Sequence, residues 1–294
     1  MRLPIIVAPM FLVSSPRMVI ESCRQGVIGT IPLLNARTPE ICAEWLSEMK
    51  EALPTETWGV NIISHRGENP RFDEDLALIE AYRPPLVISS LGDPAPIVEA
   101  VQRYGGAVYA DVICEKHARK AAKAGVDGLI LVCAGAGGHG GQLNPFAFIH
   151  AVKSFYEGTI VLAGGISTGA DIAAARVAGA DYAYMGTRFL AADEGSASDA
   201  YKEMVIQSSI EDIVYTDAIT GVHANFLLPS LRASRIDIAR RDRGNADSPR
   251  MTEHKAWKTI FSAGQGVAAV RERQSVRDIV AQLESEYEEA RQRI

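Results

Sequence analysis

Residues 128–141 read GLILVCAGAGGHGG: an apolar run that ends in five glycines and a single histidine. Within it, Gly135-x-Gly137-x-x-Gly140 spells the fingerprint of a dinucleotide-binding βαβ unit, and the fold turns on whether that reading holds. The fingerprint belongs after the first strand of its unit, with an acidic residue closing the next strand. Here the apolar run is the sixth of its kind, the following run ends in Ala163-Gly164-Gly165, and GQLNPFAF delays the next helix. The dinucleotide reading fails. Glycine is still costly to order and has no side chain to pack, so this density points to backbone lying against a flat or anionic group.

The runs around this one settle the architecture. They are IIVAP (5–9), VIGTI (27–31), WGVNII (58–63), LVISS (86–90), AVYADV (107–112), GLILVC (128–133), TIVLAG (159–164) and DYAYMG (181–186). Each is apolar without clean alternation, as strands buried on both faces are. Successive runs start 21 to 31 residues apart, which leaves room for a helix and two loops. Ser15-Pro16 and Thr38-Pro39 each place a capping residue before a proline at the first helical position. Ile41, Trp45, Leu46 and Met49 then share one helix face. Gly26, Gly125 and Gly179 stand where helices stop. Eight β-α units predict an α/β fold of the (β/α)8 TIM barrel type, preferred over a doubly wound sheet.

After Leu190 the rhythm breaks. Residues 198–209 read as helical, 216–235 as irregular and 275–293 as an amphipathic charged helix. The expected organisation is a ligand-binding barrel over 1–190. Residues 191–294 then form a C-terminal helical cap or lid with closing helices packed on the barrel.

Composition narrows the classes of function. The 294 residues are 47% apolar and 22% charged, with 25 Gly, 14 Pro and a net charge of −6, so the chain is globular and a nucleic-acid partner is disfavoured. The stretch 240–247 mixes both signs and reads as a solvated loop. Four cysteines without a C-x-x-C pair suggest free thiols in a reducing, cytoplasmic setting. The opening MRLPIIVAPMFLV mimics a signal peptide, but Pro4 and Pro9 interrupt it and no cleavage site follows, so it reads as a first buried strand. The uncharged window 128–152 is too rich in glycine to span a membrane. No metal site is expected; His117, His150 and His254 fall in helical segments without ligand-like partners.

Barrel active sites lie at the C-terminal ends of strands. Those ends carry Pro9-Met10, Asn61, Ser89-Ser90, Asp111, the glycine turn with Gly137, Gly138 and His139, Gly164-Gly165-Ile166-Ser167, and Met185-Gly186-Thr187-Arg188. The last two, with the helix that Thr168 and Asp171 cap, form the expected phosphate site. A single phosphate there fits a flavin mononucleotide or a phosphorylated substrate. Gly137 and Gly138 aim His139 at a flat ring, where a neutral imidazole suits removal of a carbon-bound proton. Asp111 either hydrogen-bonds a ligand or caps the next helix. His65 either lines the pocket or sits on the loop surface. Cys133 has no base at a spacing that would make it a nucleophile.

Ala8-Pro9-Met10, Gly59-Val60-Asn61, Ala136-Gly137-Gly138-His139, Ala163-Gly164-Gly165-Ile166, Met185-Gly186-Thr187-Arg188-Phe189 and Ser262-Ala263-Gly264-Gln265 together resemble the FMN-dependent nitronate monooxygenases, formerly 2-nitropropane dioxygenases. The resemblance implies FMN contacts from Asn61, Gly137, Gly165 and the run Tyr184, Met185, Gly186 and Thr187, with His139 as catalytic base. It implies oxidation of alkyl nitronates with O2. The chain departs from the family where Val132-Cys133-Ala134-Gly135 replaces a Gln-Gly-x-Glu pattern, and where 220–225 lacks an arginine. The substrate is therefore less secure than the flavin. Enoyl reductases and quinone reductases that use NAD(P)H share the Ala-Gly-Gly-His barrel. A flavin- or phosphate-binding protein without turnover, or a flavin-free barrel enzyme, are further alternatives. A homo-oligomer is one expected assembly.

Overall fold

In a computed structural model that describes residues 3–236 and 259–293, all eight apolar runs are strands of one closed parallel barrel. The chain alternates β1 (Ile5–Val7), α1 (Pro16–Arg24), β2 (Ile28–Pro32), α2 (Pro39–Ala52), β3 (Gly59–Ile63), α3 (Phe72–Tyr82), β4 (Leu86–Ser90) and α4 (Ala95–Gln102). The second half runs β5 (Ala107–Val112), α5 (Glu115–Lys123), β6 (Gly128–Val132), a two-residue β7 (Gly138–His139), α6 (Pro145–Lys153), β8 (Thr159–Ala163), α7 (Gly169–Ala178) and β9 (Tyr182–Met185). Pairing of β1 with both β2 and β9 closes the ring, and β7 stands outside it.

The period of two explains why the runs do not alternate. On β6, Ile130 and Val132 fill the barrel while Leu129 and Leu131 pack under the helices; on β8, Val161 and Ala163 face in while Ile160 and Leu162 face out. Both faces are dry. The helix signals act as read: Ser15, Thr38 and Asn144 accept from N–H groups of the first turn, each before a proline. Gly26, Gly125 and Gly179 each follow a helix end at positive φ.

Past β9 the chain forms α8 (Asp199–Gln207), β10 (Ile213–Thr216), β11 (Ala224–Leu227), α9 (Leu228–Ala233) and α10 (Val276–Arg291). The segment 216–235, expected to be irregular, is thus ordered: β10 pairs with β11, and β11 pairs with β7. Helix α10 packs against α7 and α1 with Val276, Ile279, Val280 and Leu283 buried, so it occupies the eighth helical position of the ring. The mixed-charge stretch 240–247 and His254 lie outside the described residues. Among the described residues, no helix is long and apolar enough to cross a membrane, and no group of His, Cys, Asp and Glu could hold a metal ion.

Candidate active site

A cavity of about 1350 Å³ opens at the C-terminal ends of the barrel strands. On three strands the inward-facing series turns polar as it reaches this end. On β4 it runs Leu86, Ile88, Ser90; on β5 Ala107, Tyr109, Asp111; on β9 Tyr182, Tyr184. Asn61 on β3 joins them. Its amide nitrogen donates to the Ile88 carbonyl at 3.1 Å and to Ser90 Oγ at 2.7 Å. Because the Ile88 carbonyl can only accept, the amide orientation is fixed and Asn61 Oδ1 is left for a ligand. The Ser90 hydroxyl in turn donates a hydrogen bond to Asp111 Oδ2. Asp111 Oδ1 and the Tyr184 hydroxyl are buried without a hydrogen-bond partner among the described residues. Burial, against the weaker effect of the Ser90 hydrogen bond, pushes the Asp111 carboxyl up to about 6. Burial, with the nearby Asp111 charge, holds Tyr184 well above the ordinary tyrosine range.

The glycine turn that opened the sequence is held from above by residues far along the chain. Ser262 Oγ accepts from Gly138 N–H at 2.7 Å and donates to the Asn225 carbonyl; Asn225 Nδ2 donates to the Ala136 carbonyl at 2.6 Å. The N–H of Gln265 donates to the Gly135 carbonyl and that of Gly264 to Thr187 Oγ1. The approach is close enough to demand glycine: a Cβ on Gly264 would lie 2.4 Å from the Gly135 carbonyl oxygen. His139, on β7, pairs with Ala224 of β11 and lines the cavity, half-buried. Desolvation lowers its pKa from the ordinary value, against an opposing effect of Glu68, so the imidazole is neutral at pH 7.

Between β8 and β9, where a phosphate site was expected, the free donors lie on the loops and not at the helix N-terminus. The N-terminus of α7 is already satisfied. Asp171 accepts from the N–H groups of Ser167 and Thr168, and Glu286 of α10 accepts from that of Gly169. Gly165 and Gly186 line the cavity instead, and no hydrogen bond engages their N–H groups among the described residues. The Ser167 hydroxyl, in a residue only 3% exposed, also lines the cavity without a partner. Gly165 sits at φ +70° with open space where a Cβ would go, so its conformation rather than its size calls for glycine.

Pro9, Met10, Asn61, Asp111, Gly137, Gly138, His139, Gly164, Gly165, Tyr184, Gly186 and Thr187 therefore converge on one cavity. Met185 does not: it has the opposite strand parity and is fully buried under the helices. Arg188 also turns away, 2% exposed and bonded to Gln274 and Gln282. His65 and His117 line the cavity, the second despite its helical position. The Cys133 thiol is buried and pushed up to about 12, which rules out a thiolate nucleophile. Tyr215, Asn225 and Ser262 were missed as candidates, whereas Ser167 closes the Gly164-Gly165-Ile166-Ser167 strand end expected to hold a phosphate. The Ser262-Ala263-Gly264-Gln265 stretch was the one sequence signal that led toward Ser262.

The model of the nitronate monooxygenase family matches residues 33–286. The chain belongs to the nitronate monooxygenase family. It is 26% identical to a nitronate monooxygenase of Paraburkholderia phytofirmans, over 90% of this chain and 81% of that one. It is also 26% identical to a hydroxy-methyl-oxo-octahydro-indene-carboxyl-CoA dehydrogenase of Mycobacterium tuberculosis, over 89% and 74%. Among solved structures it resembles FabK from Thermotoga maritima, with TM-score 0.83 and 26% identity over 99% of this chain and 94% of that one. The family makes the chain an oxidoreductase.

Proposed function

We propose that this protein is an FMN-dependent enzyme that oxidises alkyl nitronates with O2 to carbonyl compounds and nitrite. The observation that carries the reading is a neutral histidine facing the same cavity as a glycine cradle and a partnerless polar floor. These residues fit the cofactor. The Ser167 hydroxyl and the N–H groups of Gly165 and Gly186 suit its phosphate, the Gly137-Gly138 backbone suits the face of a ring, and Asn61, Asp111 and Tyr184 suit the ring's polar edge. FMN, when bound, would supply the electron-accepting chemistry. His139 would remove the α-proton when a neutral nitroalkane is the substrate, and would donate a hydrogen bond to a nitronate oxygen when the anion arrives already formed. The segment 262–266 covers the glycine turn and limits the access of water.

A second reading, an FMN-dependent NAD(P)H reductase of an enoyl thioester or a quinone, has its own support. Single-ligand pockets span roughly 300–1,000 Å³, and this cavity is larger. Lys116 and Lys120 on α5 line it, as do the exposed apolar Leu91, Ile113 and Val222. Such a rim suits a second, phosphorylated ligand. Anaerobic mixing of the FMN-loaded protein with an alkyl nitronate, and separately with NADH or NADPH, decides between them by flavin absorbance. Loss of absorbance with nitronate alone is the expected result. Loss only with the nicotinamide would overturn the first reading in favour of the second.

A further inference from the structure

We propose that Asp111 is a redox-linked proton site: its carboxyl faces the cofactor ring, lowers the ring's affinity for electrons while ionised, and takes up a proton when the ring is reduced. The proposal rests on the flavin reading above, and its basis is the placement of three side chains.

Asp111 ends the inward series of β5, one oxygen accepting from Ser90 and the other, Oδ1, buried with no partner. An ionised carboxylate normally recruits several donors when it leaves water. This one has a single hydroxyl. Its second potential donor, the Tyr184 hydroxyl, feels the Asp111 charge yet makes no bond to it, and both atoms belong to side chains that line the cavity. Asn61 does not neutralise the carboxyl either, because both of its amide protons are committed to Ile88 and Ser90. On the β6 side the inward neighbours are Ile130 and Val132, both apolar. The carboxyl is thus held near its ionisation midpoint by burial, with one hydrogen bond favouring the charged form.

A group so placed responds to any charge that appears in the cavity. A bound ring that takes two electrons from a reductant and one proton from solvent would become one unit more negative. That negative charge raises the Asp111 pKa further, so the carboxyl takes one additional proton from solvent and returns it on reoxidation. No bond to carbon changes at Asp111. Conversely, the ionised carboxylate disfavours the reduced ring, and the protonated carboxyl does not.

The other ionisable groups around the cavity are Tyr184 on β9, Tyr201 on α8, Tyr215 on β10, Glu68 and Asp93 in the loops after β3 and β4, and Lys116 and Lys120 on α5. His65, His117, His139 and His223 also line it. The informative quantity is therefore a difference between proteins, since all of these are common to both. The test is potentiometric titration of the FMN-bound protein with dithionite from pH 5 to 8.5, comparing the parent with Asp111→Asn.

Above about pH 7 the Asn variant should have the higher potential. A tenfold change in the reduction equilibrium corresponds to about 30 mV for a two-electron couple. The two should converge toward pH 5, where Asp111 is protonated. Ser90→Ala removes the donor that favours the charged form, so its own titration should follow the parent but with the pH-dependent step moved upward. This variant also keeps the test open if Asp111→Asn folds poorly. An offset independent of pH, or no offset in a protein that retains bound flavin, would overturn the role of Asp111 alone. A protein that stays colourless after incubation with FMN would overturn the flavin reading and this proposal together.

Discussion

His139 illustrates how one side chain acquires its chemistry from what surrounds it. Strand β7 is only two residues long, and its pairing with β11 fixes the backbone while flanking glycines leave the imidazole facing the cavity. Desolvation lowers its pKa from the ordinary value, so the basic form is present throughout neutral pH. His139→Gln should therefore lower kcat/KM for a neutral nitroalkane by about 10²–10⁴-fold, and lower it much less for the preformed nitronate. Comparison of initial rates on the two substrate forms checks this; equal losses would mean that His139 positions the substrate rather than deprotonating it. The pH profile with the nitroalkane should rise as His139 loses its proton, with its inflection shifted below the ordinary histidine range, because burial disfavours the imidazolium. Ser262 sits one step further out. Ser262→Ala removes the acceptor for Gly138 N–H and the donor to Asn225, and steady-state kinetics should show a raised KM together with a reduced kcat.

At the scale of elements, the sheet was legible and its attachments were not. The eight strands announced themselves because burial on both faces makes each run apolar, and their caps and prolines are local in sequence. Strands β10 and β11 have four residues each and gain their order from one another and from β7, a pairing that no local periodicity reveals. The bond from Gly138 to Ser262 spans 124 residues, which is equally silent in any short window. The N-terminus of α7 marks the subtlest failure. The sequence signals a capped helix after a glycine pair, and the capping box is present, but Asp171 and Glu286 consume the very N–H groups expected to hold a phosphate. Two predictions separate the roles. Thr168→Ala should cost about 1 kcal/mol of stability in urea unfolding while leaving the FMN dissociation constant unchanged. Ser167→Ala should do the reverse, weakening FMN binding severalfold in a fluorescence titration with little effect on the unfolding midpoint. A weakened FMN affinity in the Thr168 variant would return the phosphate to the helix terminus.

For the whole molecule, the cavity belongs to no single part of the chain. Its lining comes from strand ends spread over the barrel and from the segment 262–266, while α10 seals the ring between α7 and α1. Leu283, fully buried in that seal, should cost about 2–5 kcal/mol when changed to Ala, because the surrounding helices cannot collapse onto the space. A ligand held between the barrel and the covering segment stabilises both at once. FMN at 100 times its dissociation constant should add about 2.7 kcal/mol to the folded state and raise Tm by several degrees. Gly264→Ala tests whether the covering segment takes part. Its Cβ would lie 2.4 Å from the Gly135 carbonyl oxygen and 2.8 Å from the Gly137 nitrogen, both backbone atoms that cannot yield without moving the turn away from the cover. The rise in Tm on adding FMN should therefore shrink in this variant relative to the parent, beyond any fall in the Tm of the cofactor-free protein. An undiminished rise would mean that the barrel loops alone hold the cofactor, and that residues 262–266 serve only to position Gly138 and His139.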